Sequence, residues 1–319
     1  METATQRHVE VLARLKSNLE SCILGKSAEI ELLLTAMLAG GHVLLEDVPG
    51  TGKTVLIKAL AKSINGQFRR IQCNPDLLPT DITGVSIYHP KEEKFLFRSG
   101  PIMTNILLVD EINRATTKTQ SALLEAMEER HITVDGDLHE LPSPFLMLAT
   151  QNPIDFEGTY TLPEAQLDRF MIKLSLGYPS EAAEKMMIAS QSKVHPMEAL
   201  HAIMDTKQVL DIQEQVRQIH LDEAVADYLV TISRKTREHH AVFLGASPRA
   251  TLSLVLASKA YAFLHGRDYV IPDDIKYLAP FVLGHRMILQ MEARMDGVSI
   301  ASVLATIFEG VRVPVRLEK

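Results

Sequence analysis

The sequence predicts an α/β protein: a three-layer domain with helices on both faces of a mostly parallel sheet, followed by a small all-helical domain. Three observations lead there. Short apolar runs recur at residues 43–45, 68–73, 106–109, 145–150 and 170–174, separated by helical patterns, which is the alternation of parallel strands joined by crossovers. The first run leads through a glycine-bearing turn straight into helical periodicity. Beyond Gly177-Tyr178-Pro179 the strand signals fade, and residues 181–191, 222–237, 248–265 and 272–283 read as helices. A boundary there gives a domain of residues 1–178, with an N-terminal helical segment and two hairpin inserts, and a helical domain of residues 179–319. The length of 319 residues agrees with two domains of about 150 each, enough for two sizeable cores.

Glu46-Asp47-Val48-Pro49-Gly50-Thr51-Gly52-Lys53-Thr54 follows the first run and opens a helix beginning Val55-Leu56-Ile57. Such a turn aims successive backbone N–H groups, from a helix N-terminus, at clustered negative charge such as a nucleoside triphosphate. Gly50 and Gly52 admit close approach, Lys53 is expected to reach the terminal phosphates, and the Thr54 hydroxyl to ligate Mg²⁺. Pro49, Thr51 and Val55 complete the segment expected to hold the nucleotide. The strict pattern asks for glycine five positions before Gly52, where this chain has Asp47. Asp tolerates unusual backbone angles better than most residues and can still enter the turn.

Ile106-Leu107-Leu108-Val109-Asp110-Glu111 reads as a buried parallel strand delivering two carboxylates at its C-terminal end. Asp110 is expected to hold Mg²⁺ through water, and Glu111 to orient and deprotonate an attacking water. A helix follows, capped by Thr116 or Thr117, with Ala122, Leu123, Ala126 and Met127 as its apolar stripe. Residues 85–88 with 95–97, and 132–134 with 138–140 around Asp135-Gly136-Asp137, are expected to form the two hairpins.

Asn152 ends the fourth run in Ala149-Thr150-Gln151-Asn152-Pro153. Its amide both donates and accepts, so it can hold a hydrolytic water or a γ-phosphate; an Asx turn before Pro153 accounts for it equally well. Arg169 precedes the last run and is read either as a guanidinium serving a phosphate on a neighbouring subunit or as an exposed partner of Asp168. Arg249, in Gly245-Ala246-Ser247-Pro248-Arg249-Ala250, occupies the first turn of a helix. The helix dipole disfavours a cation there unless an anion compensates, and a phosphate would do so. A nucleotide at the strand C-termini is expected to touch both domains, the helical one closing on it as a lid.

A hydrophobic fraction of 46% and a charged fraction of 23% are those of a soluble globular protein. No apolar stretch is long enough to cross a bilayer, and Met1 to Val9 lacks the layout of a secretion signal, so no membrane insertion and a cytoplasmic location are expected. Thirty-three Lys and Arg against 40 Asp and Glu give a net charge of −7, the wrong sign for a chain whose main affinity comes from nucleic acid. The two cysteines, Cys22 and Cys73, lie outside any metal-ligand spacing and read as small buried hydrophobes. His239-His240 ends a basic helix, and His131 and His139 read as surface residues of a hairpin. Tyr88 and Phe95 either pack within their hairpin or grip a polypeptide in a ring pore.

The order of these elements resembles the AAA+ ATPases, and among them the MoxR family, from about Ile23-Leu24-Gly25-Lys26 to Val313-Pro314-Val315. The segments that carry it run from Gly41-His42 through Lys53-Thr54, then Asp110-Glu111-Ile112-Asn113-Arg114-Ala115, Ala149-Thr150-Gln151-Asn152-Pro153 and Leu162-Pro163-Glu164-Ala165-Gln166-Leu167-Asp168-Arg169-Phe170. Gly245-Ala246-Ser247-Pro248-Arg249-Ala250 and Tyr269-Val270-Ile271-Pro272-Asp273-Asp274 complete the set. The resemblance implies an AAA+ P-loop domain whose Asn152 strand lies between the phosphate-loop strand and the Asp110 strand. Asn152 then matches the first sensor, Arg249 the second sensor on the lid, and Arg169 an arginine finger acting across a ring interface. Gly25 and Lys26 would border the adenine, and the hairpins match inserts shared with magnesium chelatase motors. Thr116-Thr117 stands where relatives frequently carry two prolines, which should loosen the start of that helix.

The implied activity is Mg²⁺-dependent ATP hydrolysis by a homo-oligomer, a hexameric ring. The implied role is chaperone-like, on a client protein or beside a protein with a von Willebrand factor A domain. Two other classes stay open at this level: a nucleic-acid motor, opposed by the acidic balance, and a nucleotide-gated interaction module with negligible turnover.

Overall fold

The computed structural model describes residues 4–152, 160–190 and 196–314. Pro153, Gln191 and Val315, which end segments named above, lie outside the described residues. In chain order the first nine strands are β1 (Val43–Glu46), β2 (Phe68–Gln72), β3 (Gly84–His89), β4 (Lys94–Ser99), β5 (Ile106–Asp110), β6 (His131–Val134), β7 (Asp137–Glu140), β8 (Leu146–Gln151) and β9 (Ile172–Leu174). Five of them make one sheet in the order β2-β5-β8-β1-β9, parallel throughout. The strand leading to Asn152 therefore lies between the phosphate-loop strand and the Asp110 strand. All five residues of β5 are buried, as a strand covered on both faces must be.

The helices are α1 (Ala4–Glu20), α2 (Ser27–Leu38), α3 (Lys53–Ser63), α4 (Pro79–Thr83), α5 (Thr117–Glu129), α6 (Glu164–Leu167) and α7 (Glu181–Ser190), then α8 (Pro196–Ala199), α9 (Thr206–Arg217), α10 (Glu223–Glu238), α11 (Pro248–Leu264), α12 (Pro272–Leu283), α13 (Met291–Met295) and α14 (Ile300–Gly310). Period-two alternation sorts the strand residues between two apolar clusters. Leu44, Leu107, Val109, Met147 and Ala149 face α5, meeting Leu123, Leu124, Ala126 and Met127. The stripe is thus turned slightly from expectation: Leu124 is inside and Ala122 only half-buried.

On the other face, Val43, Leu45, Ile106, Leu108, Leu146 and Leu148 pack with α1, α2 and α3. That cluster runs on without a break through Ile212 of α9, Leu229 of α10, Leu254 of α11, Leu278 of α12 and Leu304 of α14. The apolar core is therefore divided by the sheet and not one core per expected domain. Amphipathic α9 and α14 and a short antiparallel pair, β10 (Val242–Leu244) with β11 (Ile288–Leu289), were not among the expected elements.

Thr116 caps α5 by accepting from the Thr119 N–H at 3.4 Å, a side-chain bond that proline could not supply. Both hairpins form in the expected places, β3 with β4 and β6 with β7. His139 is no simple surface residue: its ring stacks on Phe97 at 3.9 Å and ties the two hairpins together. Tyr88 and Phe95 pack edge to face within the first, both well exposed. Cys73 is buried, its thiol pushed up to about 12 by burial, whereas Cys22 is only half-buried. Among the described residues no helix is long and apolar enough to cross a membrane.

Candidate active site

At the C-terminal ends of β1, β5 and β8, one cleft is lined by Asp47, Pro49, Gly50, Lys53, Thr54, Arg70, Gln72, Asp110, Glu111, Thr150, Gln151 and Asn152. The glycine turn and the acid pair, nominated from separate stretches, meet there. Gly50 and Gly52 both hold φ of 88°, a conformation that disfavours side chains; beside Gly50 a Cβ would meet nothing within 4 Å, so backbone angle and not crowding demands glycine. Gly52 caps α3, whose first residue is Lys53. The Lys53 ammonium donates to the Val48 carbonyl at 2.7 Å and contacts Thr51 Oγ1 at 3.4 Å. Burial lowers its pKa, against the opposing pull of Asp47, Asp110 and Glu111.

Asp47 plays a part the sequence did not suggest. Its φ is not positive, so it needs none of the backbone tolerance expected of it. Its buried carboxylate accepts from the N–H groups of Leu176 at 2.8 Å, Gly177 at 3.1 Å and Val48 at 3.1 Å, and from the Thr51 hydroxyl at 3.2 Å. It fastens the turn to the segment leaving β9. Nearby, Ile23 lies 3.4 Å from the place a Gly52 Cβ would take, and Lys26 donates to the Tyr178 carbonyl at 3.1 Å. A Cβ on Gly25, whose φ is 74°, would press on Ala183 at 3.2 Å. Gly25 and Lys26 thus flank the turn on the side of α7, outside the cleft lining.

Asp110 and Glu111 are held by residues that sequence reading missed. Arg70 of β2 sets its Nε 2.5 Å from Asp110 Oδ2. Gln72 Nε2 donates to Glu111 Oε2 at 2.9 Å, and Arg114 Nε lies 3.3 Å from the same oxygen. Thr150 of β8 donates to Asp110 Oδ1 at 3.2 Å and accepts from the Glu111 N–H at 2.9 Å. Glu111 itself holds φ of 56°, a strained setting for a side chain, which breaks the strand and separates its carboxylate from that of Asp110. The registers Gln72↔Asp110 and Arg70↔Leu108 bring β2 alongside, and nothing in the sequence fixes a register between strands so far apart.

Arg169 and Arg249 do not line this cleft. They come together on α5, where Arg169 Nε lies 3.1 Å from Glu128 Oε2 and the Arg249 guanidinium contacts Glu128 Oε1. The anion that compensates Arg249 at its helix N-terminus is therefore a carboxylate of the same chain. Nor does Asp168 pair with Arg169: it binds the buried Arg286 Nε at 2.8 Å and accepts from Ser247 Oγ at 2.9 Å. Ser247 also caps α11, accepting from the Ala250 N–H at 3.0 Å. Asp168 and Ser247, adjacent in sequence to Arg169 and close to Arg249, lock the two arginine-bearing elements together.

Residues 42–172 match the family described as ATPase family associated with various cellular activities (AAA), and residues 234–307 match the AAA lid domain. The chain is 42% identical over 315 residues to Chaperone MoxR1 of Mycobacterium tuberculosis, covering 96% of this chain and 83% of that one. It is 52% identical to the protein YeaC of Bacillus subtilis over 96% of both. The chain belongs to the MoxR family of AAA+ ATPases. A solved structure from Cytophaga hutchinsonii superposes with a TM-score of 0.91 at 36% identity, covering 98% of this chain and 97% of that one.

For a MoxR-family chain the donor set of the cleft fits a magnesium nucleotide. The turn and the first turn of α3 offer backbone N–H groups and Lys53 for phosphate, while Thr54 and Asp110 offer the hard oxygens that Mg²⁺ prefers. Arg70 already occupies one Asp110 oxygen, so a cation placed there would have to share that carboxylate with it.

Proposed function

We propose that this MoxR-family chain hydrolyses ATP in the cleft between the glycine turn and the end of β5, as one subunit of a homo-oligomeric ring. The observation that carries the reading is the meeting of Lys53, from the turn after β1, with Asp110 and Glu111, from a strand two places away in the sheet. Pro49 to Val55 cradle the triphosphate, with Lys53 against its terminal oxygens, and Gly25 and Lys26 border the base. Thr54 and Asp110 would hold Mg²⁺, which supplies charge neutralisation on the phosphates. Glu111 prepares the attacking water, its carboxylate set apart from Asp110 by the backbone turn at that residue. Asn152, in the cleft lining, orients that water or the γ-phosphate.

Arg169 and Arg249 act together on the nucleotide of a neighbouring subunit. Their shared site on α5, away from their own cleft, supports this over a lid that closes on its own nucleotide. The boundary between nucleotide domain and lid falls at Tyr178-Pro179, and the lid carries Arg249 to the interface. A hexamer in the cytoplasm, working chaperone-like on a protein client or with a von Willebrand factor A domain partner, is the role most in keeping with a relative named a chaperone.

The test is a phosphate-release assay across protein concentration, with Glu111→Gln alongside. Turnover per subunit rises with concentration, and Glu111→Gln keeps ATP affinity while losing about 10²- to 10⁴-fold in rate. Turnover untouched by the substitution removes Glu111 from the mechanism, and a rate per subunit independent of concentration removes the shared site.

A further inference from the structure

Two guanidinium groups from distant parts of the chain share one carboxylate on a third element. Arg169 leaves the turn after α6, Arg249 opens α11, and Glu128 sits in the last turn of α5. Like charges held this close repel, and the pair persists because Glu128 stands between them with one oxygen for each. Glu125 and Glu129 line the same groove, but among the described residues Glu128 is the carboxylate in ion contact with both arginines.

The elements behind this bridge are fixed. Asp168 ties Ser247 to Arg286, and Arg286 also donates to the backbone carbonyls of Asp168 at 2.9 Å and Phe170 at 2.7 Å. Backbone position is therefore set from behind, and what Glu128 sets is the direction of two long side chains that are still part-exposed. The grip is incomplete: the buried Nε of Arg169 lacks the alignment of a hydrogen bond to the carboxylate 3.1 Å away. That buried Nε is out of reach of a phosphate, but the rest of each guanidinium, on side chains 30% and 44% exposed, can add phosphate contacts without the whole side chain having to reorder.

We propose that Glu128 is a positioning residue that holds Arg169 and Arg249 side by side as a preformed two-guanidinium clamp for the terminal phosphate bound by the next subunit. This rests on the reading that both arginines act across a subunit interface. Without Glu128 the two cations separate, and each must be ordered anew at every turnover.

Mixed rings test it. Lys53→Ala subunits, unable to hold triphosphate but carrying intact arginines, are mixed with Arg169→Ala subunits, which bind ATP but lack the finger; phosphate release should appear on mixing. Glu128→Gln is then added to the Lys53→Ala subunit. We expect kcat of the mixture to fall about ten- to a hundredfold with KM for ATP unchanged, the loss that misplacing a catalytic group by about 1 Å produces. The same substitution in the Arg169→Ala subunit should cost clearly less, and Glu128→Asp in the Lys53→Ala subunit should recover part of the rate. Thermal melts confirm that each variant is folded, and Glu128→Asp carries the test if Glu128→Gln is not.

No activity in the parent mixture overturns the shared-site reading and the clamp with it. An active parent mixture in which Glu128→Gln loses nothing, gains rate, or loses equally in either subunit overturns the clamp alone. A gain would mean that Glu128 sequesters the arginines and does not present them.

Discussion

Restoring the consensus phosphate loop by Asp47→Gly should weaken this protein. The substitution supplies the glycine the strict pattern asks for, yet the Asp47 carboxylate is the acceptor for the Leu176 and Gly177 N–H groups at 2.8 and 3.1 Å. Leaving a buried donor unpaired costs about 1–3 kcal/mol, so the buried Leu176 donor puts the loss at about 1–3 kcal/mol, with a smaller share from the part-buried Gly177 donor, against a typical stability of about 5–15 kcal/mol. With an unfolding entropy of about 2.1 cal/mol/K per residue over 319 residues, or about 670 cal/mol/K, a loss of about 1–3 kcal/mol lowers the melting temperature by about 1.5–4.5 °C. Asp47→Asn, whose single acceptor oxygen can take the place of the Oδ2 that serves both donors, should lose clearly less than Asp47→Gly. Urea unfolding monitored by circular dichroism gives the stabilities, and calorimetric titration with ATP reports whether the loosened turn also binds more weakly. An Asp47→Gly protein as stable as the parent would show that Asp47 does not fasten the turn to the segment after β9.

Removing the cation that occupies Asp110 should ease metal binding. Arg70→Ala is expected to lower the Mg²⁺ concentration for half-maximal ATPase by about two- to fivefold, the worth of an exposed ion pair, and an unchanged or higher requirement in a Mg²⁺ titration would refute it. Arg249→Ala should leave the ATP affinity of an isolated subunit intact but cut turnover of the assembled protein by about a hundredfold or more; weakened binding to dilute subunits would instead put Arg249 in its own cleft. His42 and His285 are both held neutral by burial, their pKa values depressed from 6.5 to about 3. Below pH 6.5 the unfolded chain takes up protons that the folded chain refuses, so stability is lost as pH falls, by about 1.4 kcal/mol per pH unit for each histidine and about 2.7 for both. Urea midpoints at pH 7, 6 and 5 should show the slope, and His42→Gln should make it shallower by about half; parallel slopes would count against the assignment.

What the sequence disclosed and what it withheld divide along the range of the interactions. The five sheet strands, both hairpins and the phosphate turn are local events, written in apolar runs and in Gly50, Gly52 and Asp135-Gly136, and the structure has them within a residue or two of expectation. Lys53, Asp110, Glu111 and Asn152 were legible because each ends or follows such an element. Arg70 and Gln72 were not, since their proximity to Asp110 follows from the pairing of β2 with β5 and from nothing in β2 itself. Glu128 was hidden for the same reason: it sits among other acids on an exposed helix end, and only the fold brings Arg169 and Arg249 onto it. The pairing of Asp168 with Arg169, one of the two readings left open for that arginine, rested on adjacency in sequence, whereas the partner Arg286 comes from beyond α12.

That last pair bears on how the helical part is oriented. Burial lowers the Arg286 pKa to about 10, and Asp168 opposes the shift, so the group stays protonated at neutral pH and must be paired. A buried ion pair is seldom a net source of stability, because desolvation of both charges offsets most of their attraction, but breaking one by removing a single partner costs about 3–5 kcal/mol. Such a pair penalises alternatives more than it rewards the native arrangement. Here the arrangement enforced is the approach of Ser247 and α11 to the loop between α6 and β9, which, with the shared Glu128, sets Arg249 beside Arg169. An apolar patch of equal area would join the helices to the sheet as firmly, but it would tolerate the slips of an ångström or so that the proposed two-arginine site would not. The polar lock at Asp168 is thus better explained by the geometry of the arginines it carries than by the stability of the chain.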